Sequence, residues 1–223
     1  MIIAMSHAAG HRKPGHTHRG GGPAHHGHSF ADVENWVARF EGPERDAWQK
    51  PEEVVRALGL APAARVAEIG AGTGYFAVRL ARAVPRGQVW GVDLEPNMVR
   101  HLEARAAREG LANLTAALAS AEDPRLPEPV DVLLVANTYH HLEARPAYFA
   151  RVATALAPGG RLVIIDFRKG DLPVGPPDEM KLAPEVVRSE LELSGLVQTA
   201  EESFLPHQYF LVFRKRSPRT ASP

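Results

Sequence analysis

The chain has 223 residues, enough for one α/β domain of ordinary size and some additional segments. Its 26 Lys and Arg residues balance 26 Asp and Glu residues, so the net charge gives no sign of a nucleic-acid partner. The absence of cysteine excludes disulfides, thiolate metal sites and cysteine nucleophiles. No apolar run approaches the roughly 20 residues that a membrane-spanning helix needs.

The first 28 residues differ in composition from the rest of the chain. They hold seven of the 11 histidines and almost no large apolar side chain, so we expect residues 1–28 to be a disordered tail. A weaker alternative is a metal site at His25, His26 and His28, because imidazole binds transition metals. The apolar stretch 1–5 is too short for a signal peptide. We therefore expect a cytoplasmic protein, unless an upstream signal peptide is missing from this sequence.

Residues 29–60 are expected to form an N-terminal helical cap. Apolar residues recur at helical spacing over Phe30–Phe40, and a second helix is expected from Pro51, which suits the first helical position. Trp48 falls in a turn-rich linker between them. Two roles are open for this cap. It forms either a lid over a bound ligand, with Trp48 and Gln49 near an acceptor substrate, or a hydrophobic cover for a sheet edge.

The segment Arg65–Leu80 is the most informative part of the sequence, because it predicts a buried strand, a glycine turn and the start of a helix. Glu68 interrupts the apolar strand, and a carboxylate is costly to bury there unless it is paired or functional. Thr73 is expected to cap the helix. Glycines occupy alternate positions in the turn: Gly70, Gly72 and Gly74. Without a Cβ, they let a ligand lie against the backbone.

This glycine pattern distinguishes two classes of nucleotide-type ligand. The dinucleotide pattern is G-x-G-x-x-G, whereas here the third glycine comes one residue early and Tyr75 occupies the required position. The spelling E-x-G-x-G-x-G instead resembles the first motif of class I S-adenosylmethionine (SAM) dependent methyltransferases. Residues 156–160, L-x-P-G-G before an apolar strand, are also frequent in that family. The resemblance covers about residues 54–215. Within the family, the sequence is similar to the methyltransferases of ubiquinone and menaquinone biosynthesis.

The resemblance implies an α/β, Rossmann-like, doubly wound seven-stranded sheet of order 3-2-1-4-5-7-6, with strand 7 antiparallel and helices on both faces. It also implies SAM as methyl donor and S-adenosylhomocysteine as product. The SAM-binding domain is expected over residues 61–215, and 216–223 as a frayed basic tail. The expected cofactor-binding residues are Glu68, Gly70, Ala71, Gly72, Gly74, Tyr75, Asp93, Leu94, Met98, Ser120, Ala121, Glu122 and Asn137.

Asp93 ends the second expected strand, about twenty residues after the glycines, where α/β nucleotide folds place a carboxylate for both ribose hydroxyls. Leu94 and Met98 are expected to contact the adenine, although core packing explains them nearly as well. In the family, the turn after the third strand often carries an acid that binds the adenine amino group. Ser120 stands there, so Glu122, a neighbouring acid or backbone groups would have to bind the adenine.

Polar residues follow the fourth expected strand, Val132–Ala136. Ligands of an open parallel sheet bind beyond the carboxyl ends of the strands at the switch point, so we expect Asn137, His140 and His141 to enter the site there. One of the two histidines is a candidate general base, and the alternative is a structural hydrogen-bonding role. Asp166 ends the fifth expected strand on the same side and is expected to orient a histidine or bind the acceptor.

The remaining sequence predicts a helix over Pro184–Ser194 and a hairpin-like pair of strands, Leu196–Ser203 and Gln208–Arg214. The leading hypothesis is a SAM-dependent methyltransferase acting on oxygen, nitrogen or carbon of a small molecule, as a monomer or homodimer with neither a nucleic-acid partner nor a membrane span. One alternative is a nicotinamide-dependent oxidoreductase on a similar fold. Another is a non-catalytic SAM-binding or metal-binding protein.

Overall fold

The computed structural model describes residues 41–216. The expected tail at 1–28, with the histidines considered as metal ligands, lies outside the described residues. So do the expected helix Phe30–Phe40 and residues 217–223. Within 41–216, no helix is both long enough and apolar enough to cross a membrane.

Helices and strands alternate along most of the described chain. The helices are α1 (Pro43–Gln49), α2 (Pro51–Ala57), α3 (Ala77–Ala83), α4 (Pro96–Arg108), α5 (Arg145–Ala155) and α6 (Pro184–Leu193). The strands are β1 (Arg65–Ile69), β2 (Gln88–Asp93), β3 (Leu114–Leu118), β4 (Val130–Ala136), β5 (Leu156–Phe167), β6 (Leu196–Glu202) and β7 (Gln208–Lys215).

The strands form one seven-stranded sheet of order β3-β2-β1-β4-β5-β7-β6, which confirms the expected topology. The first five strands are parallel, and β7 is antiparallel to both β5 and β6. The chain runs outward from β1 to β3 and returns to β4, beside β1. The carboxyl ends of β1 and β4 therefore border the switch point, where ligands of such sheets bind.

Two apolar clusters cover the two faces of the sheet. On one face, Val66 of β1 packs with apolar residues of α2, α3 and α4, including Val54 and Leu102. On the other face, Ala67 of β1 packs with residues of α5 and α6, including Phe149. Successive residues of a strand point to opposite faces, so a parallel strand covered by helices on both sides must be apolar almost throughout.

Local expectations fail at Trp48 and at Thr73. Trp48 lies in helix α1 and not in a linker, because Pro43 starts a short helix there and Lys50, with a left-handed φ of 46°, separates it from α2. Thr73 does not cap α3: the helix begins at Ala77, after a longer series of turns, and the Thr73 hydroxyl is buried without a hydrogen-bond partner.

A third difference concerns Asp166. The sequence predicted that this residue ends the fifth strand, whereas β5 continues one residue further, to Phe167. The strand is longer because β7 pairs with it up to this point, with Tyr209 opposite Asp166 and Gln208 opposite Phe167. Asp166 therefore has the rigid backbone of a paired strand, next to the carboxyl edge of the sheet.

Candidate active site at the carboxyl edge of the sheet

The glycine turn after β1 is held to β2 by backbone hydrogen bonds. The N–H groups of Gly70 and Ala71 both donate to the carbonyl oxygen of Val92, over 2.8 and 3.1 Å. Gly70 has a φ of 73°, and a Cβ at this position would lie 2.3 Å from Thr138 Oγ1. Gly72 also has a positive φ, of 53°, but a Cβ there would meet no atom within 4 Å. The turn is thus packed at Gly70 against Thr138, which follows β4, and is open to a ligand at Gly72.

Asp93 lies beside this open position. Its Oδ2 accepts the N–H of Gly72 over 2.8 Å, and its Oδ1 accepts the N–H of Glu95 over 3.0 Å. Burial raises the pKa of the Asp93 carboxyl, although these backbone N–H groups act in the opposite direction. A carboxylate oxygen accepts more than one hydrogen bond, so both oxygens of Asp93 keep capacity for hydroxyl donors.

Glu68 is the second acid beneath the turn, and it is buried with 3% of its surface exposed. Its Oε2 has no hydrogen-bond partner. Burial raises the pKa of Glu68 to about 8, against the opposing effects of the Arg45 charge and of a hydrogen bond from the backbone of Ala77. A buried carboxyl oxygen without a partner is unfavourable, and a nearby cation or donor would stabilise its charged form.

Other residues expected to bind the cofactor differ in exposure. Tyr75 and Met98 are buried, with 4% and 1% of their surfaces exposed, whereas Leu94, next to Asp93, is 46% exposed. Ser120 exchanges backbone hydrogen bonds with Asp123, which closes a tight turn. The neighbouring residues Ala121 and Glu122 are exposed on that turn.

These residues fit the chemistry of SAM. A ribose diol needs an acceptor, which Asp93 provides, and the open backbone of Gly72 lets a ligand approach closely. An adenine needs an apolar surface, which the exposed side chain of Leu94 provides. The unpartnered oxygen of Glu68 suits the cationic part of the ligand.

His140 and Asp166 meet at the carboxyl edge across the switch point from the glycine turn. His140 lies in a short 3₁₀ turn after β4, and its Nδ1 is 2.9 Å from each oxygen of the Asp166 carboxylate. The backbone N–H groups of His140 and Phe167 also donate to this carboxylate, over 3.2 and 2.8 Å. The two side chains are only 4% and 3% exposed. This arrangement orients the imidazole and leaves Nε2 to exchange a proton.

His141 is placed differently from His140. His141 is exposed, and the centre of its ring lies 4.0 Å from that of the His140 ring. The 3₁₀ turn that carries both histidines is held from below by Tyr139, whose hydroxyl donates to Glu190 Oε2 over 2.7 Å. Arg145 donates to both oxygens of Glu190. The structure thus brings His140, and not His141, into contact with Asp166.

Asn137, expected to contact the cofactor, uses its side chain in contacts within the protein. Its Nδ2 donates to Gln49 Oε1 over 2.9 Å, and its Oδ1 accepts a hydrogen bond from Gln208. Gln208 was not identified as a site residue from the sequence, and no local pattern marks it. A glutamine at the start of a strand becomes informative only when its distant partners are known.

Helix α1 borders the site on both sides. Near the glycine turn, the Tyr75 hydroxyl donates to Asp46 Oδ1 over 2.5 Å, and the Arg45 guanidinium lies 3.7 Å from the centre of the Tyr75 ring. Near β5, the Trp48 ring packs against Phe167, with ring centres 5.5 Å apart. Trp48 thus lies beside the end of β5, and the role of Trp48 and Gln49 near an acceptor stays a prediction.

Comparison with known proteins shows which proteins this chain resembles. Residues 66–160 match a family described as a methyltransferase domain. The chain is 34% identical over 122 residues to the ubiquinone/menaquinone biosynthesis C-methyltransferase UbiE of Syntrophotalea carbinolica, covering 54% of this chain and 51% of that protein. It is 30% identical over 131 residues to the aklanonic acid methyltransferase DauC of a Streptomyces species, covering 57% and 60%. The chain thus matches about half of the length of these relatives.

Solved structures agree on the fold. A SAM-dependent methyltransferase from Aquifex aeolicus has a TM-score of 0.75 at 24% sequence identity, covering 82% of this chain and 97% of that one. A TehB-like SAM-dependent methyltransferase from Corynebacterium glutamicum has a TM-score of 0.63 at 17% identity, covering 84% and 100%. The similarity extends over most of the described sheet and its helices.

Proposed function

Because residues 66–160 match a methyltransferase domain and the fold is that of SAM-dependent methyltransferases, we propose that the chain is a class I SAM-dependent methyltransferase of a small-molecule acceptor and that His140 is its general base. SAM, the cofactor of this family, supplies an electrophilic methyl group carried on a sulfonium. The observation that carries the proposal is the contact between His140 Nδ1 and the Asp166 carboxylate at the carboxyl edge of the sheet.

The cofactor residues have separate tasks in this proposal. Asp93 accepts the ribose hydroxyls while it holds the N–H of Gly72, and Leu94 offers an apolar surface to the adenine. Gly72 leaves room for the ligand against the backbone. Glu68 provides negative charge beneath the turn, where a cation favours its ionised form.

The acceptor loses a proton to His140 in this scheme. A hydrogen bond from Nδ1–H to Asp166 leaves the lone pair on Nε2, so His140 can take a proton from an acceptor hydroxyl, amine or acidic carbon. Asp166 then stabilises the resulting imidazolium, because it is a buried carboxylate within hydrogen-bond distance. The protein otherwise holds the acceptor and donor in line and close together.

The relatives support a small acceptor. The names of two of them state activity in ubiquinone and menaquinone biosynthesis and on aklanonic acid. We infer that this chain also acts on a small molecule with an ionisable proton. The nicotinamide alternative has no support from these relatives. Among residues 41–216 there is no group of three or more His, Cys, Asp or Glu side chains that could hold a metal ion.

The experiment combines binding with turnover. S-adenosylhomocysteine binding is measured by calorimetry, and transfer of a labelled methyl group from SAM is measured with a panel of phenols, carboxylic acids and compounds with acidic C–H bonds. We expect His140→Gln to bind S-adenosylhomocysteine as the wild type does and to lose about 10²- to 10⁴-fold in turnover. His141→Gln, the matched control, should lose far less. Equal turnover of wild type and His140→Gln would contradict the role of His140, and a wild type that binds no S-adenosylhomocysteine would contradict the proposed function.

A further inference from the structure

Three side-chain amides form a closed ring of hydrogen bonds at the carboxyl edge of the sheet. Gln49 Nε2 donates to Gln208 Oε1 over 2.6 Å, Gln208 donates to Asn137 Oδ1, and Asn137 Nδ2 donates to Gln49 Oε1 over 2.9 Å. Each amide therefore donates once and accepts once within the ring. Gln49 and Gln208 are fully buried.

This ring joins parts of the protein that are far apart in the chain. Gln49 ends α1, Asn137 directly follows β4 with a left-handed φ of 57°, and Gln208 begins β7. Buried amides that lose a partner are left with unsatisfied donors or acceptors, which is unfavourable. The ring therefore favours one position of α1 relative to β4 and β7 over any other position.

The same helix is attached on the opposite side of the cleft. Asp46 accepts the hydroxyl of Tyr75, which follows the glycine turn directly, and Arg45 stacks on the Tyr75 ring. Helix α1 thus reaches from the glycine turn, after β1, to the residue that follows β4. These are the two strands that border the switch point, so α1 crosses the cleft in which the cofactor is proposed to bind.

The attachment of α1 to the sheet depends on few groups. The helix has only seven residues, and Gln49 is the one that it buries. Lys50, with its left-handed φ of 46°, turns the chain sharply between α1 and α2. Opening the ring would therefore remove the hydrogen bonds that hold the end of α1 and leave the packing of Trp48 on Phe167, without requiring α2 to leave its place in the apolar core.

We propose that the ring of Gln49, Asn137 and Gln208 is a latch that holds α1 across the cofactor cleft and sets the rate at which cofactor and product exchange. Gln49 is then a positioning residue on α1, and Asn137 and Gln208 are its hydrogen-bond partners on the sheet. This inference rests on the proposed function, because it requires S-adenosylhomocysteine to bind at the glycine turn.

The test replaces Gln208, a partner of Gln49 on the sheet, and leaves the sequence of α1 unchanged. In Gln208→Glu, an ionised carboxylate can accept from Gln49 but cannot donate to Asn137 Oδ1. The protonated acid has one donor and one acceptor, so it closes the ring again. The pKa of a buried carboxyl is raised, which brings this protonation within reach of ordinary buffers. The charged group that faces the ring from α1 is Arg45, whose Nη2 is 3.4 Å from Gln49 Oε1.

The primary measurement is the release rate of S-adenosylhomocysteine in a stopped-flow displacement experiment. At pH 8 we expect Gln208→Glu to release it about ten times faster than the wild type, because one buried acceptor has lost its donor. At pH 5.5 the difference should become small. The matched control is Gln198→Glu on β6, where the half-buried side chain accepts a hydrogen bond from Arg188 outside the ring. It should release the ligand as the wild type does at both pH values.

A second measurement does not depend on the ligand. Hydrogen exchange of the backbone amides of α1, without S-adenosylhomocysteine at pH 8, should be faster in Gln208→Glu than in the wild type and in Gln198→Glu. A variant with unchanged release and unchanged exchange would overturn the latch while leaving the proposed function in place. Equally fast release at both pH values would also overturn it, since reprotonation would then not close the ring. A wild type that does not bind S-adenosylhomocysteine overturns both proposals.

Discussion

Gly72 and Asp93 are joined by a hydrogen bond of 2.8 Å from the backbone N–H of the glycine to Oδ2 of the acid, which ties the turn after β1 to the end of β2. The same glycine has open space where a side chain would be. The acid is therefore positioned by the backbone against which the ligand is proposed to lie, so cofactor recognition and the geometry of the turn depend on one contact.

Asp93→Asn should weaken cofactor binding more than folding. An asparagine oxygen can still accept from Gly72, but the second carboxylate oxygen and the charge are lost. We expect the affinity for S-adenosylhomocysteine to fall about ten- to a hundredfold, in line with the loss of hydrogen bonds to a charged group. Calorimetry measures this, with the exposed Glu103→Gln on α4 as a matched control. Equal affinities of Asp93→Asn and the wild type would contradict the proposed role of Asp93.

The glycines of the turn should respond differently to alanine. Gly70→Ala places a methyl group against Thr138, so we expect it to lower the free energy of unfolding by roughly 2–4 kcal/mol. Gly72→Ala introduces only backbone strain, about 1–2 kcal/mol, but its methyl group occupies the proposed ligand space.

Gly110→Ala is the control for Gly72→Ala. Gly110 has a φ of 68° and open space around a Cβ, but it lies in the turn after α4, away from the glycine turn. Urea unfolding should give similar losses for these two variants, whereas only Gly72→Ala should lose affinity for S-adenosylhomocysteine. If both retain the affinity of the wild type, the open face of Gly72 is not a ligand surface.

Glu68→Gln should change the pH dependence of stability. The folded-state pKa of about 8 lies above the unfolded value of 4.5, so the folded protein binds the extra proton between these values. The contribution of Glu68 to stability is thus fully present below pH 4.5 and is lost as the pH rises through about 8. The variant lacks this loss, and at pH 9 it should be more stable than the wild type by on the order of 3 kcal/mol.

Urea unfolding of the ligand-free protein at pH 5, 7 and 9 tests this prediction. The advantage of Glu68→Gln should be absent at pH 5 and grow toward pH 9. An advantage that is independent of pH would show that Glu68 does not change its protonation in the folded protein over this range.

Tyr139→Phe and Tyr209→Phe form a matched pair. The Tyr139 hydroxyl donates to Glu190, so we expect its removal to lower the free energy of unfolding by about 1 kcal/mol. The Tyr209 hydroxyl is buried without a hydrogen-bond partner, so its removal should be neutral or stabilising. Urea unfolding of both variants measures the difference, and the reverse order of stabilities would contradict the assigned hydrogen bonds.

The features that the sequence predicted well depend on residues close together in the chain. The strand, the glycine turn and the acid at the end of β2 lie within Arg65–Asp93, and their order defines the carboxyl edge of the sheet. The order of the sheet was predicted from the resemblance to a family, which these local patterns support. The contact of His140 with Asp166 was one of two roles considered for the acid.

The features that the sequence did not predict depend on distant partners. Gln49 and Gln208 are 159 positions apart, and nothing in either neighbourhood shows that their amides meet. Thr73 has the chemistry of a helix cap, but the turn continues to Phe76 before α3 begins. In both cases tertiary contacts decide which hydrogen-bonding groups find partners, and local preference does not.

The position of β7 has a consequence for how the protein is made. β7 follows β6 in the chain but lies between β5 and β6 in the sheet, so β6 has no neighbour until β7 is in place. A chain that is cut, or still being synthesised, before residue 208 leaves the long strand β5 as an open edge, which is prone to pair with other chains. The same chain lacks Gln208. Completion of the sheet and attachment of α1 over the cleft would therefore occur together, once β7 has been synthesised.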